Sequence, residues 1–408
     1  MNRRLFLRSS GIALAGLGFS PAFARRALGL TDGRRRKVLV TILQRGAVDG
    51  LSMVPPVGES RYHALRPGIA IPRAGDGAAL ALDGPFGLHP ALAPLERYWN
   101  AGALAVVHSV GSPDATRSHF DAQDYLESGT PGVKSTEDGY LNRALQALPR
   151  SEAPFRAVGF QPNLPRSLSG RAPALAMSSL SEFSLRGGKE AETSFESMYA
   201  RAVDAALKTT GDETFDAVKI VKDANPARFT PQNGASYPAS PLGKRLQEIA
   251  QLIRADVGLE IAATDCGGWD THAGQGSSKG QLANRLQDFG ASLAAFATDL
   301  GDALSDVCVV TMTEFGRTVR ENGTRGTDHG HGSVMLVLGG GVKGKRVLGK
   351  WKGLADADLH EGRDLAVTTD HRDVLAEVLR AHLGVTESGK VFPGFQVTPD
   401  RRPGLFGA

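Results

Sequence analysis

Five short apolar runs constrain this fold more than any other feature of the chain. KVLVTIL (37–43), ALAVV (103–107), GLEIAA (258–263), VCVVTM (307–312) and VMLVL (334–338) are near-continuously apolar rather than alternating. That is the pattern of strands covered on both faces. Between the third and fourth runs, Leu282, Leu286, Phe289, Leu293, Phe296, Leu300 and Leu304 recur at steps of three and four. Such spacing makes one apolar stripe on a helix over 278–304. Strand, helix, strand in succession predicts an α/β fold with a large, mainly parallel central sheet flanked by helices. Ligands of such sheets gather at the carboxyl ends of the strands, so the polar loops after each run carry the functional question.

Residues 1–24 read differently. Arg3-Arg4 precedes Leu5-Phe6-Leu7, then the run GIALAGLGF, then Ala22-Phe23-Ala24. A charged start, a short apolar stretch and an A-x-A ending make a secretory signal, and the paired arginines make it the twin-arginine type. The expected partner is the twin-arginine (Tat) export machinery, and the expected location is periplasmic or secreted. The apolar run is shorter than the ~20 residues that span a bilayer, and no transmembrane segment is expected in the mature chain. Residues 25–36 form a basic linker, and 37–408 the folded domain. Residues 130–255, polar and interrupted by PNLPRSLSG and TPQNGASYPASP, are expected to be a mostly helical insertion.

Charge excludes one class of partner. Of the formal +4, residues 1–24 contribute +3 and residues 25–37 contribute +5, leaving −4 on residues 38–408. The folded part is mildly acidic, so no nucleic-acid surface is expected. Two cysteines, Cys266 and Cys308, are too few for a disulfide scaffold or a cysteine-type zinc site. In an oxidising compartment they either pair or sit as small core residues.

Five loops hold metal-ligating or nucleophilic residue types: QRGAVDGL (44–51), DATRSHFDAQDY (114–125), CGGWDTHAGQ (266–275), TEFGRT (313–318) and TDHGHGS (327–333). Asp49 before Gly50 is by itself a turn signal. Asp270 with His272, Glu314 beside Arg317, and Asp328, His329 and His331 are each explicable as hydrogen-bonded loops. Together they place carboxylates and imidazoles after successive strands of one sheet, the donor set of a divalent metal such as Zn or Mn. Ser118 and Thr116 are hydroxyl nucleophiles that coordination would activate, and Arg117 is a fork for an anionic substrate. Ser118 is equally placed to cap the helix that HFDAQDYLESG predicts. GGGVKGK (339–345) lacks the Ser/Thr and the helix of a phosphate loop, and GSSKG (276–280) lacks the strand of a nucleophile elbow.

DGLSMVPP, TRSHFDAQDY, WDTHAGQ, TEFGRTVRENG, GTDHGHGS and GGGVKG, taken in order, resemble domain-of-unknown-function family 1501, which is grouped with the alkaline phosphatase and sulfatase superfamily. The resemblance implies an alkaline phosphatase-like sheet and a bimetallic hydrolase ancestry, with one or two ions (Zn, Mn, Ca or Mg) and a small anionic phosphate or sulfate ester as substrate. It implies Asp49 as a metal ligand, Ser118 rather than Thr116 as nucleophile, and Asp270 and His272 as a ligand pair, although the superfamily usually spaces that pair by four. Strand order places Glu314 at the superfamily's Asp-His motif, with Phe315 where a histidine is expected and the final histidine supplied by TDHGHGS. The alternative takes Asp328-His329 as that motif and His371 as the last ligand. His371, however, reads as a helix start capped by Asp370. The altered set also fits a non-catalytic envelope protein that keeps the fold for metal or anion binding.

Overall fold

The computed structural model describes residues 36–151, 153, 155–180 and 229–407. The signal segment, all but Arg36 of the basic linker, and residues 181–228 of the expected insertion lie outside the described residues. The five apolar runs become β1 (Val38–Gln44), β4 (Leu104–Gly111), β7 (Ile261–Cys266), β8 (Val307–Met312) and β9 (Ser333–Gly339). Short strands are added at β2 (Leu80–Ala81), β3 (Gly87–Leu88), β5 (Ala157–Gly159), β6 (Leu175–Ala176), β10 (Val347–Leu348) and β11 (Thr369–Asp370). All but β2 and β3 join one sheet in the order β10-β4-β9-β8-β1-β7-β5-β6, with β11 beside β4.

Pairing is parallel throughout this sheet except at β9, which runs antiparallel to both β4 and β8. That exception positions the site. The entry to β9 lies at the edge where the other strands end, so the loop carrying TDHGHGS meets the loops that follow β1, β4, β7 and β8.

Five helices of eight or more residues are described: α1 (His119–Ser128), α2 (Tyr140–Ala147), α3 (Pro241–Arg254), α4 (Gln281–Leu300) and α5 (His371–Leu383). Side-chain alternation along β1 divides the core between them. Val38, Val40 and Ile42 pack into a cluster with the stripes of α3 and α4. Leu39 and Leu43 pack on the other face with residues of α2 and α5. All seven residues of the predicted stripe are buried. The helix itself stops at Leu300, because Gly301 takes a positive φ of 52°, and Leu304 follows in a 3-10 turn.

Two expectations change, and the open alternative for the cysteines is decided. β7 begins three residues later than its apolar run, because Gly258 has φ +89° and turns the chain first. Residues 130–180, expected within an inserted side region, supply β5 and β6, which extend the central sheet beyond β7. Strands of two and three residues are too short to show periodicity. Cys266 and Cys308 are free. They sit on β7 and β8 with β1 between them, Cys266 level with Gln44 and Cys308 level with Leu39, so two strand spacings (~9.6 Å) and five residues along the strand separate them, beyond disulfide reach.

Phe296 on α4 is wholly buried between the sheet and its neighbouring helices. Its truncation removes transfer free energy and leaves a cavity. Phe296→Ala is expected to lower the unfolding free energy by about 3–5 kcal/mol, measured by urea denaturation of the two proteins under one set of conditions.

Candidate metal centre

Three imidazoles converge at the carboxyl edge of the sheet. His119 opens α1, which follows β4. His272 lies in the loop after β7, and His329 in the loop entering β9. His119 Nε2 is 3.0 Å from His329 Nε2, which is 3.1 Å from His272 Nε2. Asp270 Oδ1 lies 3.0 Å from His272 Nε2 and 3.3 Å from His329 Nε2, and its Oδ2 is 3.7 Å from His119 Nε2. His119, Asp270 and His329 each offer one ligand atom, all within 4.8 Å of one another.

The other nitrogen of each ring decides the protonation. His119 Nδ1 is 2.8 Å from Glu314 Oε1, His272 Nδ1 is 3.1 Å from Asp328 Oδ1, and His329 Nδ1 is 3.0 Å from the Arg117 carbonyl. A carboxylate or carbonyl oxygen only accepts, so each Nδ1 carries the hydrogen. An Nε2 that carries no hydrogen is then left with a lone pair to offer, and those of His119 and His329 lie with Asp270 around one point. Arg317 offsets part of the Asp270 charge and approaches His272 Nε2 at 3.5 Å, and a cation among His119, His329 and Asp270 would satisfy the donors that remain. Donors around zinc at ~2.0–2.1 Å stand about 3.3 Å apart, close to the 3.0 Å between His119 and His329, the 3.3 Å between His329 and Asp270 and the 3.7 Å between Asp270 and His119; His272 stands beside this group of three. A carboxylate or carbonyl behind each ligating imidazole is the usual support of such a centre.

Electrostatics agree with a shared point. The hydrogen bond to Glu314 raises the His119 pKa, aided by the nearby charges of Glu314 and Asp270 and opposed by burial. Burial lowers that of His329, helped by the neighbouring His119 and Arg317. Two rings 3.0 Å apart do not both hold a proton at this point. Burial alone would raise Asp270, but the Arg317 guanidinium and the two histidines outweigh it and hold the carboxylate low.

Arg317 ties the loops together. Its Nε donates to Ala47 O at 2.7 Å, Nη1 to Thr327 O at 3.0 Å, and Nη2 to Gly46 O at 2.6 Å and to Asp270 Oδ1. The backbones of 316–317 and 329–332 then run against each other. A Cβ at Gly330 would stand 2.4 Å from the Arg317 carbonyl carbon, and one at Gly316 would stand 1.8 Å from Gly332 O. Gly330 is therefore glycine for close approach, and that approach sets His329 opposite His119.

The residues expected at the site divide. Asp270, His272 and His329 are in it. Glu314 and Asp328 stand one step behind, each receiving a histidine Nδ1–H. His331 is turned away and stacks on His360 at 4.4 Å between centroids. His371 is buried behind the Asp370 cap, with Nδ1 3.3 Å from Gly111 O. Asp49 is not brought to the cluster. Its two oxygens meet Arg66 at 2.6 and 3.1 Å and also accept from Ser52 and Gln275, each at 2.7 Å.

Ser118 Oγ accepts from Asp121 N as the cap of α1, and Thr116 Oγ1 accepts from Ser118 N at 3.2 Å. Arg117 Nη2 donates to Glu361 and Asp364, both at 2.7 Å. Sequence reasoning passed over His119, one of the three clustered donors, in favour of its neighbour Ser118. Its signal was an imidazole at the first helical position after a strand.

The model of the family described as "Protein of unknown function (DUF1501)" matches residues 99–394. The chain belongs to that family. No curated protein matches it. Among solved structures, it is similar to the C-terminal periplasmic domain of EcEptC from Escherichia coli in complex with Zn, at 11% identity and TM-score 0.37, over 76% of this chain and 74% of that one. A second structure of the same domain gives 10% and 0.38 over 90% and 89%. The phosphonate monoester hydrolase of Agrobacterium radiobacter gives 12% and 0.32 over 89% and 78%. These TM-scores lie below the level at which a likeness carries an inference.

The Asp49–Arg66 pair gives a test of where Asp49 acts. Burial alone would raise the Asp49 pKa, but Arg66, Ser52 and Gln275 together hold it below the ordinary value. Its contribution to stability is therefore complete above an unfolded pKa of about 3.9 and lost as pH falls through the lower folded value. Asp49→Asn leaves a buried guanidinium uncompensated and is expected to cost about 3–5 kcal/mol at pH 7. The gap between the two proteins, read by denaturation across pH, closes below about pH 4. Metal content measured on the same samples stays unchanged.

Proposed function

We propose that this chain is an exported, metal-dependent hydrolase of small phosphate or sulfate esters, built around one divalent ion held by His119, His272, His329 and Asp270. The convergence of His119, His329 and Asp270, with ligand atoms within 4.8 Å of one another at a solvent-open edge and His272 Nε2 3.1 Å from His329 beside them, carries this reading. Three nitrogens and one oxygen suit Zn first and Mn second, whereas Ca and Mg prefer all-oxygen sets. Half-exposed ligands favour substrate access over a closed structural site, because structural zinc is enclosed by its four ligands. A bound zinc would polarise an ester oxygen and lower the pKa of an attacking hydroxyl.

The remaining roles belong to the chain's own residues. Ser118 adjoins His119 in sequence. Its Oγ accepts a capping hydrogen bond and so keeps its own proton to give, and the start of α1 favours an anion beside it. Thr116 supports the Ser118 backbone. Arg117 would hold the anion after releasing the exposed Glu361, and Arg363, which donates to the His329 carbonyl at 3.0 Å, offers a second guanidinium at this edge. The twin-arginine segment at 1–24 and the basic linker at 25–36 fit delivery to the periplasm or beyond in a folded, metal-loaded state.

A second reading rests on a specific observation. Arg117 is paired with two carboxylates and Ser118 Oγ caps α1, so each already has a structural role. That arrangement favours a non-catalytic envelope protein that uses the same centre for metal or anion binding.

One experiment separates the two. The exported protein is purified without added metal, its content is read by elemental mass spectrometry, and turnover of p-nitrophenyl phosphate and p-nitrophenyl sulfate is assayed. The hydrolase reading expects about one equivalent per chain, lost in His119→Ala/His329→Ala, with turnover that a chelator abolishes. Metal without turnover of either ester leaves the binding reading, and absence of metal overturns the hydrolase reading and leaves anion binding alone. Ser118→Ala is expected to lower kcat at least ~100-fold with metal content intact.

A further inference from the structure

Glu314 Oε1 receives three donors at once: His119 Nδ1, Gln123 Nε2 and Gly46 N, each at 2.8 Å. Its Oε2 accepts from Thr313 Oγ1 at 3.0 Å. The carboxylate is thus fixed from several directions, and Gln123 is the only side chain among the Oε1 donors besides His119. Gln123 is itself oriented. Its Oε1 accepts from Arg45 Nη1 at 2.7 Å, so its amide has one orientation that gives a hydrogen to Glu314 and takes one from Arg45. Arg45 is anchored in turn by Asp265 at 2.7 Å and Glu127 at 2.9 Å, and Asp265 is held from α3 by Arg245 at 2.9 Å.

We propose that Gln123 is a positioning residue for the metal centre: through Glu314 it holds the hydrogen of His119 on Nδ1 and so keeps the Nε2 lone pair aimed at the ion. This rests on the metal reading above and adds to it a residue one full turn along α1 from His119, outside the ligand set. Geometry supports the direction of the effect. Removing the Gln123 amide takes one of three donors from Glu314 Oε1 and frees that oxygen to rotate away from the imidazole. His119 then loses a fixed acceptor at Nδ1, and its other tautomer, with a hydrogen on Nε2 pointing at His329, becomes accessible. Partners one step behind a ligating histidine typically carry 10–100-fold of metal affinity.

The test uses Gln123→Met, similar in length and unable to donate, with Arg45→Gln as a second variant that removes the far anchor together with its ion pairs to Asp265 and Glu127. Zinc affinity is measured by chelator competition, and the His119 ring nitrogens are followed by long-range 1H–15N NMR in metal-free protein. The expected result is about 10-fold or more weaker zinc binding in Gln123→Met, a smaller loss in Arg45→Gln, and a His119 signal that moves from the Nδ1–H toward the Nε2–H tautomer. The tautomer readout stands whether or not metal binds. Wild-type protein with Nδ1–H and a Gln123→Met protein with the same signal would overturn the proposal on its own. Failure of the wild-type protein to bind zinc would instead count against the metal reading. Should Gln123→Met not fold, Arg45→Gln carries the same two readouts, and an unchanged tautomer with unchanged affinity there is the overturning result.

Discussion

The buried guanidinium of Arg317 is the constraint on which the rest of this centre depends. A charge this deep is tolerated only when its donors are satisfied, and they are satisfied by carbonyls from the loop after β1 and the loop entering β9, and by Asp270 after β7. Each of those loops is irregular and would otherwise leave backbone oxygens unpaired. One side chain from the loop after β8 therefore fixes their mutual position. Asp270 and His329 face each other as a result. Arg66 does the same at a second level, binding Asp49 and the carbonyls of Thr318 and Val319.

Prior partners explain why so many charged groups at this edge are not in the cluster. Asp49, Glu314 and Asp328 all sit where a metal-binding carboxylate is expected from strand order. Each is used to hold something else: Arg66, His119 and His272 respectively. A ligand and its supporter are chemically alike, and a carboxylate with its lone pairs already filled by N–H donors has little left for a cation. The cluster that results has nitrogen in the majority, a donor set that would favour zinc over calcium or magnesium.

The orientation of β9 matters as much as any side chain. Were it parallel to its neighbours, its entry loop would lie at the opposite edge of the sheet, some 20 Å from His119 by the length of a six-residue strand. Because it is antiparallel, His329 arrives beside His119 and His272. The glycines at 316 and 330 then let two backbones touch, and a methyl group at either would force them apart.

Much of this was legible in the sequence. The five apolar runs, the α4 stripe, the Asp370 cap and the loops that carry chemistry all follow from local pattern, because burial on both faces or on one stripe leaves a period that composition alone reveals. The family is legible too, from motifs spread over most of the chain. What pattern did not reveal is which donors share a point. His119 was outweighed by the serine beside it, and the strand pair β5 and β6 was too short to carry a period. Sequence determined that carboxylates and imidazoles would gather at one edge of a parallel sheet. Tertiary structure alone decided which of them converge and which support the others, since that depends on the direction of β9 and on two buried arginines whose partners lie as far apart as 271 positions along the chain.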